Sequence, residues 1–160
     1  MSDTTLRRVT VSDTAFLLRV YASTRADELA LTDWSDEQKE VFVRMQFEAQ
    51  HAYYQEHYAD ASFEVIEVGG IPAGRLYVHR RPAEIRLVDV TLLPEFRGGG
   101  AGTALIHGLM AEAESAGKPL TIHVEMYNPA LRLYERLGFV ASAADRGPYL
   151  FLEWRPPALR

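Results

Sequence analysis

The chain has 160 residues, 48% of them hydrophobic and 24% charged, which is enough for one domain with its own core and too few for two ordinary domains. A formal net charge of −5 without any run of lysine or arginine argues against a nucleic-acid partner, and the apolar runs are too short for a membrane span or a signal peptide. The lack of cysteine excludes disulfides, thiolate nucleophiles and cysteine-ligated metals and suits a reducing compartment, so we expect a cytoplasmic protein.

The first part of the chain predicts one strand followed by two helices. Residues 6–11 have the pattern of a strand, and Ser12 stands where it would cap a first helix. A second helix is expected to begin after Ser35, which lies at capping-box spacing from Gln38, and to run to about Tyr58. It would be the longest element of the chain.

The second helix carries two apolar stripes. One is expected to be plain core and contains Val41, Phe42, Met45, Ala49, Ala52 and Tyr53. The other is aromatic and partly polar and contains Val43, Phe47, His51, Tyr54 and Tyr58. It could pack as a second layer of core, or it could line a ligand pocket or a subunit contact.

The next segments predict a sheet with both antiparallel and parallel neighbours. Alternation in residues 61–68, 73–80 and 83–93 is typical of an antiparallel meander. Residues 103–117 have a helical period, and the strand that follows is expected to end near Tyr127. A strand, a helix and a strand over this length imply a parallel crossover.

The C-terminal part predicts a short helix and a closing strand. Asn128 is expected to cap the helix, Pro129 to occupy its first position and Gly138 to end it. Residues 149–154 would form the last strand of the sheet. An exposed edge there would allow a homodimer.

A cluster of glycines lies between the third meander strand and the following helix: Gly98, Gly99, Gly100 and Gly102. Each glycine inside a helix or strand costs about 0.5–1 kcal/mol relative to alanine. The cluster therefore suggests that a ligand approaches the main chain closely, most simply a phosphate at the helix N-terminus. Two other phosphate-binding patterns fail at Thr103. A P-loop that begins at Gly98 would need its second glycine there, and a dinucleotide pattern that begins with Gly98 and Gly100 would need its third small residue there. The pattern Arg/Gln-x-x-Gly-x-Gly/Ala is met in full by residues 97–102.

This stretch resembles the pyrophosphate-binding loop of the GNAT superfamily, whose members transfer an acyl group from a coenzyme A thioester to an amine. Residues 124–139, VEMYNPALRLYERLGF, are similar to a later segment of the same family. The resemblance implies an α/β (α+β) fold over residues 1–160 as one domain, with a mixed, twisted and splayed sheet of six to seven strands flanked by helices. It also implies acetyl-CoA as co-substrate, bound where the sheet splays between the strand ending at Leu93 and the strand ending near Tyr127.

The resemblance assigns the coenzyme to backbone groups of the strand end and the loop. The implied residues are Thr91, Leu92, Leu93, Arg97, Gly98, Gly99, Gly100, Ala101, Gly102 and Thr103. Asn128 would touch the pantetheine or a bound water, besides capping its helix. Tyr134 would give a proton to the departing thiolate, and the alternative is a tyrosine that packs in the core.

The general base is less clear from the sequence. Asp89 shares a strand face with Ile85 and Leu87, and burial there could adapt it to accept a proton. The alternative is a structural carboxylate that is hydrogen-bonded to its neighbours. Some family members carry a glutamate where this chain has Arg86, so a water chain is a second route for the proton.

The predicted reaction is acetyl transfer from acetyl-CoA to a primary amine of a small molecule or peptide, by direct attack in a ternary complex. Without cysteine or a G-x-S-x-G sequence, an acylated enzyme is not expected, and the histidine spacings predict no metal. Arg25, Glu28 and Tyr54 are the candidates for the acceptor side. The rival interpretation is a non-catalytic module that binds an acyl-CoA as a sensor or interaction signal.

Overall fold

A computed structural model describes residues 3–126, 128–142 and 149–160. Tyr127, near which we expected a strand to end, lies outside the described residues. The helices are α1 (Thr14–Ala30), α2 (Asp36–His57), α3 (Ala101–Ala116) and α4 (Leu131–Arg136). The strands are β1 (Thr4–Arg8), β2 (Ser62–Val68), β3 (Ile71–Arg80), β4 (Ile85–Leu92), β5 (Leu120–Glu125), β6 (Val140–Ala141) and β7 (Tyr149–Trp154).

The strands form one seven-stranded mixed sheet in the order β1-β2-β3-β4-β5-β7-β6. β1 and β2 are antiparallel, β4 and β5 are parallel, and β7 pairs antiparallel with both β5 and β6. The parallel ladder joins Ile85–Leu87 to Leu120–Ile122 and stops there, although both strands continue. The predicted mixed sheet and its parallel crossover are therefore confirmed.

Contacts between residues group the chain into two compact units. The first comprises Met1–Tyr77 and Asp89–Gly102, and the second Val78–Val88 and Thr103–Arg160. The first unit has a core between α1 and α2 formed by Leu17, Tyr21, Leu29, Val43 and Phe47. Buried residues of the second unit include Ile106, Ala113, Leu120, Ile122 and Leu152. A single domain over the whole chain stays a prediction.

The start of α1 differs from the prediction. Ser12 lies in a 3-10 turn at Val11–Asp13, and α1 begins at Thr14. The carboxylate of Asp13 accepts the backbone N–H of Thr10 at 2.8 Å and two hydrogen bonds from Arg7 at 2.9 and 2.8 Å. Asp13 therefore organises this end, because a carboxylate paired with an arginine is a stronger hydrogen-bond acceptor than a serine hydroxyl.

α2 begins and ends as predicted, with the Ser35–Gln38 capping box present, but the first of its two stripes is not the plain core that we expected. In the stripe predicted to be core, Val41 and Met45 are 54% and 65% exposed. In the other stripe, Val43 and Phe47 are buried in the core with α1. Two residues along a helix turn it by about 200°, so burying position 43 turns position 41 away from α1.

The closing strand also differs from the expectation of an exposed edge. β7 lies between β5 and β6, and the two-residue strand β6, which the sequence pattern missed, occupies that edge of the sheet. The argument for a homodimer through β7 is therefore withdrawn. Among the described helices, none combines the length and the apolar character that a transmembrane segment needs.

Candidate active site

The glycine loop leaves the end of β4 through a 3-10 turn at Pro94–Phe96 and leads directly into α3. Gly98 and Gly100 have φ angles of +81° and +85°, in the left-handed region that glycine adopts at little cost. Arg97 extends back along the loop, and its Nε donates to the carbonyl oxygen of Leu92 at 2.9 Å. The arginine of the motif thus ties the loop to the strand that precedes it.

The backbone of the loop is open on the side where side chains would project. A Cβ atom added to Gly98, Gly99 or Gly100 would meet no heavy atom within 4 Å. Within the described chain, the N–H groups of these three glycines have no hydrogen-bond acceptor. Amides without an acceptor in the described chain, followed by the N-terminus of a 16-residue helix, have the positive electrostatic character that favours an anion such as phosphate.

The end of β4 is fixed by a close contact with β3. The N–H of Leu93 donates to the carbonyl oxygen of Ala73 at 2.8 Å. At the next residue, Gly74, an added Cβ would lie only 2.1 Å from the carbonyl oxygen of Thr91. Only glycine allows the two strands to approach so closely. The close approach fixes the position of Thr91–Leu93, the segment predicted to pair with pantetheine.

Asp89 lies on β4 in a buried ion pair with Arg75 of β3. The side chain of Arg75 is 3% exposed and that of Asp89 is 13% exposed, with Arg75 Nη2 2.6 Å from Asp89 Oδ2. The same nitrogen donates to Gln50 Oε1 at 2.9 Å, and Thr91 Oγ1 donates to Asp89 Oδ1 at 2.7 Å. Among the described residues, each carboxylate oxygen therefore has one donor and keeps one lone pair for another.

Aromatic side chains surround this ion pair. The Arg75 guanidinium lies 5.1 Å from the ring centre of Tyr77 and 6.0 Å from that of Tyr21. Tyr54 meets Tyr77 edge to face at 5.8 Å. Burial raises the pKa of both Tyr54 and Tyr77, and the negative charge of Asp89 adds to the effect, so both hydroxyls stay protonated at neutral pH.

Two of the predicted acceptor-side residues, Arg25 and Glu28, are linked to this ion pair through Tyr21. Arg25 forms an ion pair with Glu28 at 3.3 Å, and its Nε donates to the hydroxyl oxygen of Tyr21 at 3.2 Å. Tyr21 in turn lies against Arg75. The structure thus links Arg25 through Tyr21, and Tyr54 through Tyr77, to the guanidinium that pairs with Asp89.

Sequence reasoning did not select four of the residues in this cluster: Tyr21, Gln50, Arg75 and Tyr77. The signal for Arg75 was present, because an arginine between Gly74 and Leu76 interrupts an otherwise apolar strand. A buried arginine is costly unless it is paired, so its position on a predicted central strand calls for an acidic partner. Which carboxylate would supply that partner was not visible in the sequence.

Asn128 and Tyr134 belong to the second unit. α4 begins at Leu131, later than predicted, and Asn128 Oδ1 accepts the N–H of Ala130 at 2.8 Å. Tyr134 is 4% exposed, and its ring meets that of Phe139 edge to face at 5.6 Å. Gly138 has a φ of +100° and follows the helix end, as predicted. The packing of Tyr134 is compatible with a core role, and its role as an acid stays a prediction.

Arg86, at the position where the resemblance would have allowed a glutamate base, lies in a polar cluster of the second unit. It is 8% exposed and donates from Nε to Thr121 Oγ1 at 2.9 Å. Its Nη1 is 2.6 Å from His123 Nδ1, and its guanidinium lies 5.3 Å from the ring centre of Phe151. Through these contacts Arg86 ties β4 to β5. Among the described residues, no group of three histidine or acidic side chains could hold a metal.

Comparison with solved structures finds the same fold over nearly the whole chain. PaiA N-acetyltransferase from Thermoplasma acidophilum, solved in complex with coenzyme A, gives a TM-score of 0.71 at 17% identity, covering 96% of this chain and 99% of that one. An acetyltransferase from Thermus thermophilus gives 0.67 at 18% identity, with 95% and 96% covered. YncA from Salmonella typhimurium, solved with its cofactor acetyl-CoA, gives 0.58 at 22% identity, with 95% and 93% covered.

Comparison at the level of sequence gives the family. None of the curated proteins compared with the chain matches it. The model of the acetyltransferase (GNAT) family matches residues 26–139, which include α2, the meander, the glycine loop and α4. The chain therefore belongs to the GNAT acetyltransferase family.

Proposed function

We propose that this protein transfers an acetyl group from acetyl-CoA to a primary amine of a small molecule or peptide, by direct attack in a ternary complex. The observation that carries the proposal is the glycine loop, whose free amides and positive φ angles lie between the end of β4 and the start of α3. Such a backbone suits a pyrophosphate and needs no basic patch elsewhere. This explains how an acidic protein could hold an anionic co-substrate.

In this proposal the coenzyme is held by main-chain groups. The amides of residues 98–103 bind the pyrophosphate, whereas that of Arg97, which we also expected to take part, already donates to the carbonyl oxygen of Pro94 at 3.2 Å. Thr91–Leu93 present a strand edge to the pantetheine amides, which pair as an added strand would. Asn128 is proposed to contact the pantetheine or a bound water. Acetyl-CoA supplies the thioester that is cleaved.

Asp89 is proposed to bind the acceptor and take its proton. A primary amine arrives largely as an ammonium ion, and only its neutral form attacks a carbonyl. Asp89 keeps an open lone pair on each oxygen, while Arg75 and Thr91 fix the plane of its carboxylate. Arg25, Glu28 and Tyr54 would then shape the space for the rest of the acceptor.

The transfer step needs one proton donor besides the base. Asp89 takes the first proton from the ammonium ion and passes it to solvent water. The neutral nitrogen then forms a bond to the thioester carbon, the carbon–sulfur bond breaks, the sulfur receives a proton from Tyr134, and the nitrogen loses its second proton to Asp89. A tyrosine and a thiol have ordinary pKa values of about 10 and 8.5, so transfer of a proton from the tyrosine to the thiolate is unfavourable by itself. Rapid reprotonation of the tyrosine from solvent would complete the transfer. No residue of the protein becomes acylated.

The proposal is tested by thiol release from acetyl-CoA in the presence of amines, amino acids, polyamines and peptides, beside a calorimetric titration with coenzyme A. Tyr134→Phe should lower turnover by about 10²-fold or more, the range of a lost general acid, and leave coenzyme affinity unchanged. Tyr53→Phe, at a position 50% exposed on α2, is the matched control. Binding without release over the whole panel would favour the sensor, and no binding would refute the assignment of the loop.

A further inference from the structure

An apolar groove of about 450 Å³ lies along the first half of α2. We define the α2 groove by its lining residues Trp34, Glu37, Gln38, Val41, Phe42 and Met45. Trp34 is 40% exposed, and its ring meets Phe42 edge to face at 5.1 Å. Val41 and Met45 also line the groove, and both residues are more than half exposed.

This groove is separate from the packing that holds α2 in the fold. Val43 and Phe47 bury the opposite face of the helix against α1. Val41 and Met45 are four residues apart, so they share a face, and that face is turned by about 200° from Val43 and Phe47. A stripe whose spacing is typical of core is thus left uncovered by the described chain, which is unusual unless a partner covers it.

The charges around the groove select the kind of partner. Residues 27–40 contain six acidic side chains and one basic side chain, Lys39. Glu40 pairs with Arg44 at 3.6 Å, whereas Asp33, Asp36 and Glu37 form no ion pair within the described chain. In a symmetric dimer through this face, the same acidic groups would meet each other, so the charges disfavour a second copy and favour a cation.

We propose that the α2 groove binds a cationic amphipathic segment of another protein. Apolar side chains of the segment lie against Trp34, Val41 and Met45, while its lysines or arginines pair with the free carboxylates at the groove end. Tryptophan is prominent among residues that dominate binding energy, and methionine adapts to varied apolar shapes. The groove does not include Asp89, Arg75 or the glycine loop, so this proposal stands independently of the proposed acetyl transfer.

Fluorescence anisotropy of the full chain with designed peptides tests the proposal. The probe is an 18-residue peptide of leucine and lysine with a helical period, labelled at one end. Two comparison peptides keep the length: one replaces lysine by glutamate, and one keeps the composition but alternates leucine and lysine. We expect the helical leucine–lysine peptide to bind at least tenfold more tightly than either, with an affinity that falls as salt rises.

Variants then assign the binding to the groove. Met45→Lys and Glu37→Lys should each weaken binding of the helical leucine–lysine peptide about tenfold or more. Val140→Lys, at an apolar position 69% exposed in the second unit, and Glu56→Lys, at the other end of α2, should stay within about twofold of the parent. All four positions are exposed, so thermal melting by circular dichroism should show folded proteins.

Three results would overturn the proposal. The first is equal affinity of the parent for the lysine and glutamate peptides, or no binding to any of them. The second is unchanged binding by Met45→Lys and Glu37→Lys. The third is a parent dimer in sedimentation velocity that Met45→Lys converts to monomer, since a second copy would then occupy the groove.

Discussion

Replacing Gly74 by alanine should both destabilise the protein and weaken coenzyme binding. The added Cβ would lie 2.1 Å from the carbonyl oxygen of Thr91 and 3.0 Å from the Cα of Leu92, whereas ordinary contacts begin at 3.4 Å. Restoring that distance requires a movement of about 1.3 Å between two backbones, neither of which can rotate aside as a side chain would.

The expected loss of stability is large because the added Cβ would clash with backbone atoms. Overpacking in a core costs about 1–3 kcal/mol, and a clash with backbone belongs at or above the upper end, so we expect a loss of about 3 kcal/mol or more. The hydrogen bond from Leu93 N–H to Ala73 is strained by the same movement. Because the displaced residues are those proposed to pair with pantetheine, coenzyme affinity should fall by at least tenfold.

Urea unfolding followed by circular dichroism measures the first effect, and calorimetric titration with coenzyme A measures the second. Gly108→Ala is the matched control, since Gly108 lies inside α3 and an added Cβ there meets nothing within 4 Å. That control should be more stable than the parent by about 0.5–1 kcal/mol. If Gly74→Ala unfolds at the same urea concentration as the parent, the close approach of β3 to β4 is refuted.

Gly100→Ala should leave stability within about 1–2 kcal/mol of the parent, the cost of a left-handed residue, while calorimetry shows a larger loss of coenzyme affinity; unchanged affinity would remove the loop amides from the site. Arg75→Met should lower the free energy of unfolding by about 3–5 kcal/mol, because it leaves the Asp89 carboxylate buried without a cation. Adding Asp89→Asn should recover part of that loss, and a double variant less stable than Arg75→Met would contradict the explanation. The Arg7 guanidinium lowers the pKa of Asp13 to about 2, so the stability from this pair is complete above about pH 4 and is lost as the pH falls toward 2. Asp13→Asn should flatten the unfolding free energy over that interval, measured by urea titrations at successive pH values, and an unchanged slope would show that other carboxylates carry the acid sensitivity.

The features that were predictable from the sequence are those that depend on residues close together in the chain. The Ser35–Gln38 capping box, the parallel crossover around α3 and the left-handed glycines of the loop all follow from local patterns. The glycine loop was recognisable for the same reason, because one short segment supplies all of its backbone groups. Its role in binding coenzyme stays a prediction.

Packing between distant segments decided the rest. Both stripes of α2 are apolar, so only the docking of α1 determined that Val43 and Phe47 are buried and that Val41 and Met45 face outward. Arg75 and Asp89 are fourteen residues apart on neighbouring strands, and their pairing requires the register of the sheet. A local pattern specifies what a segment can form, whereas the choice among several apolar faces and charged partners depends on the total burial and pairing of the folded chain.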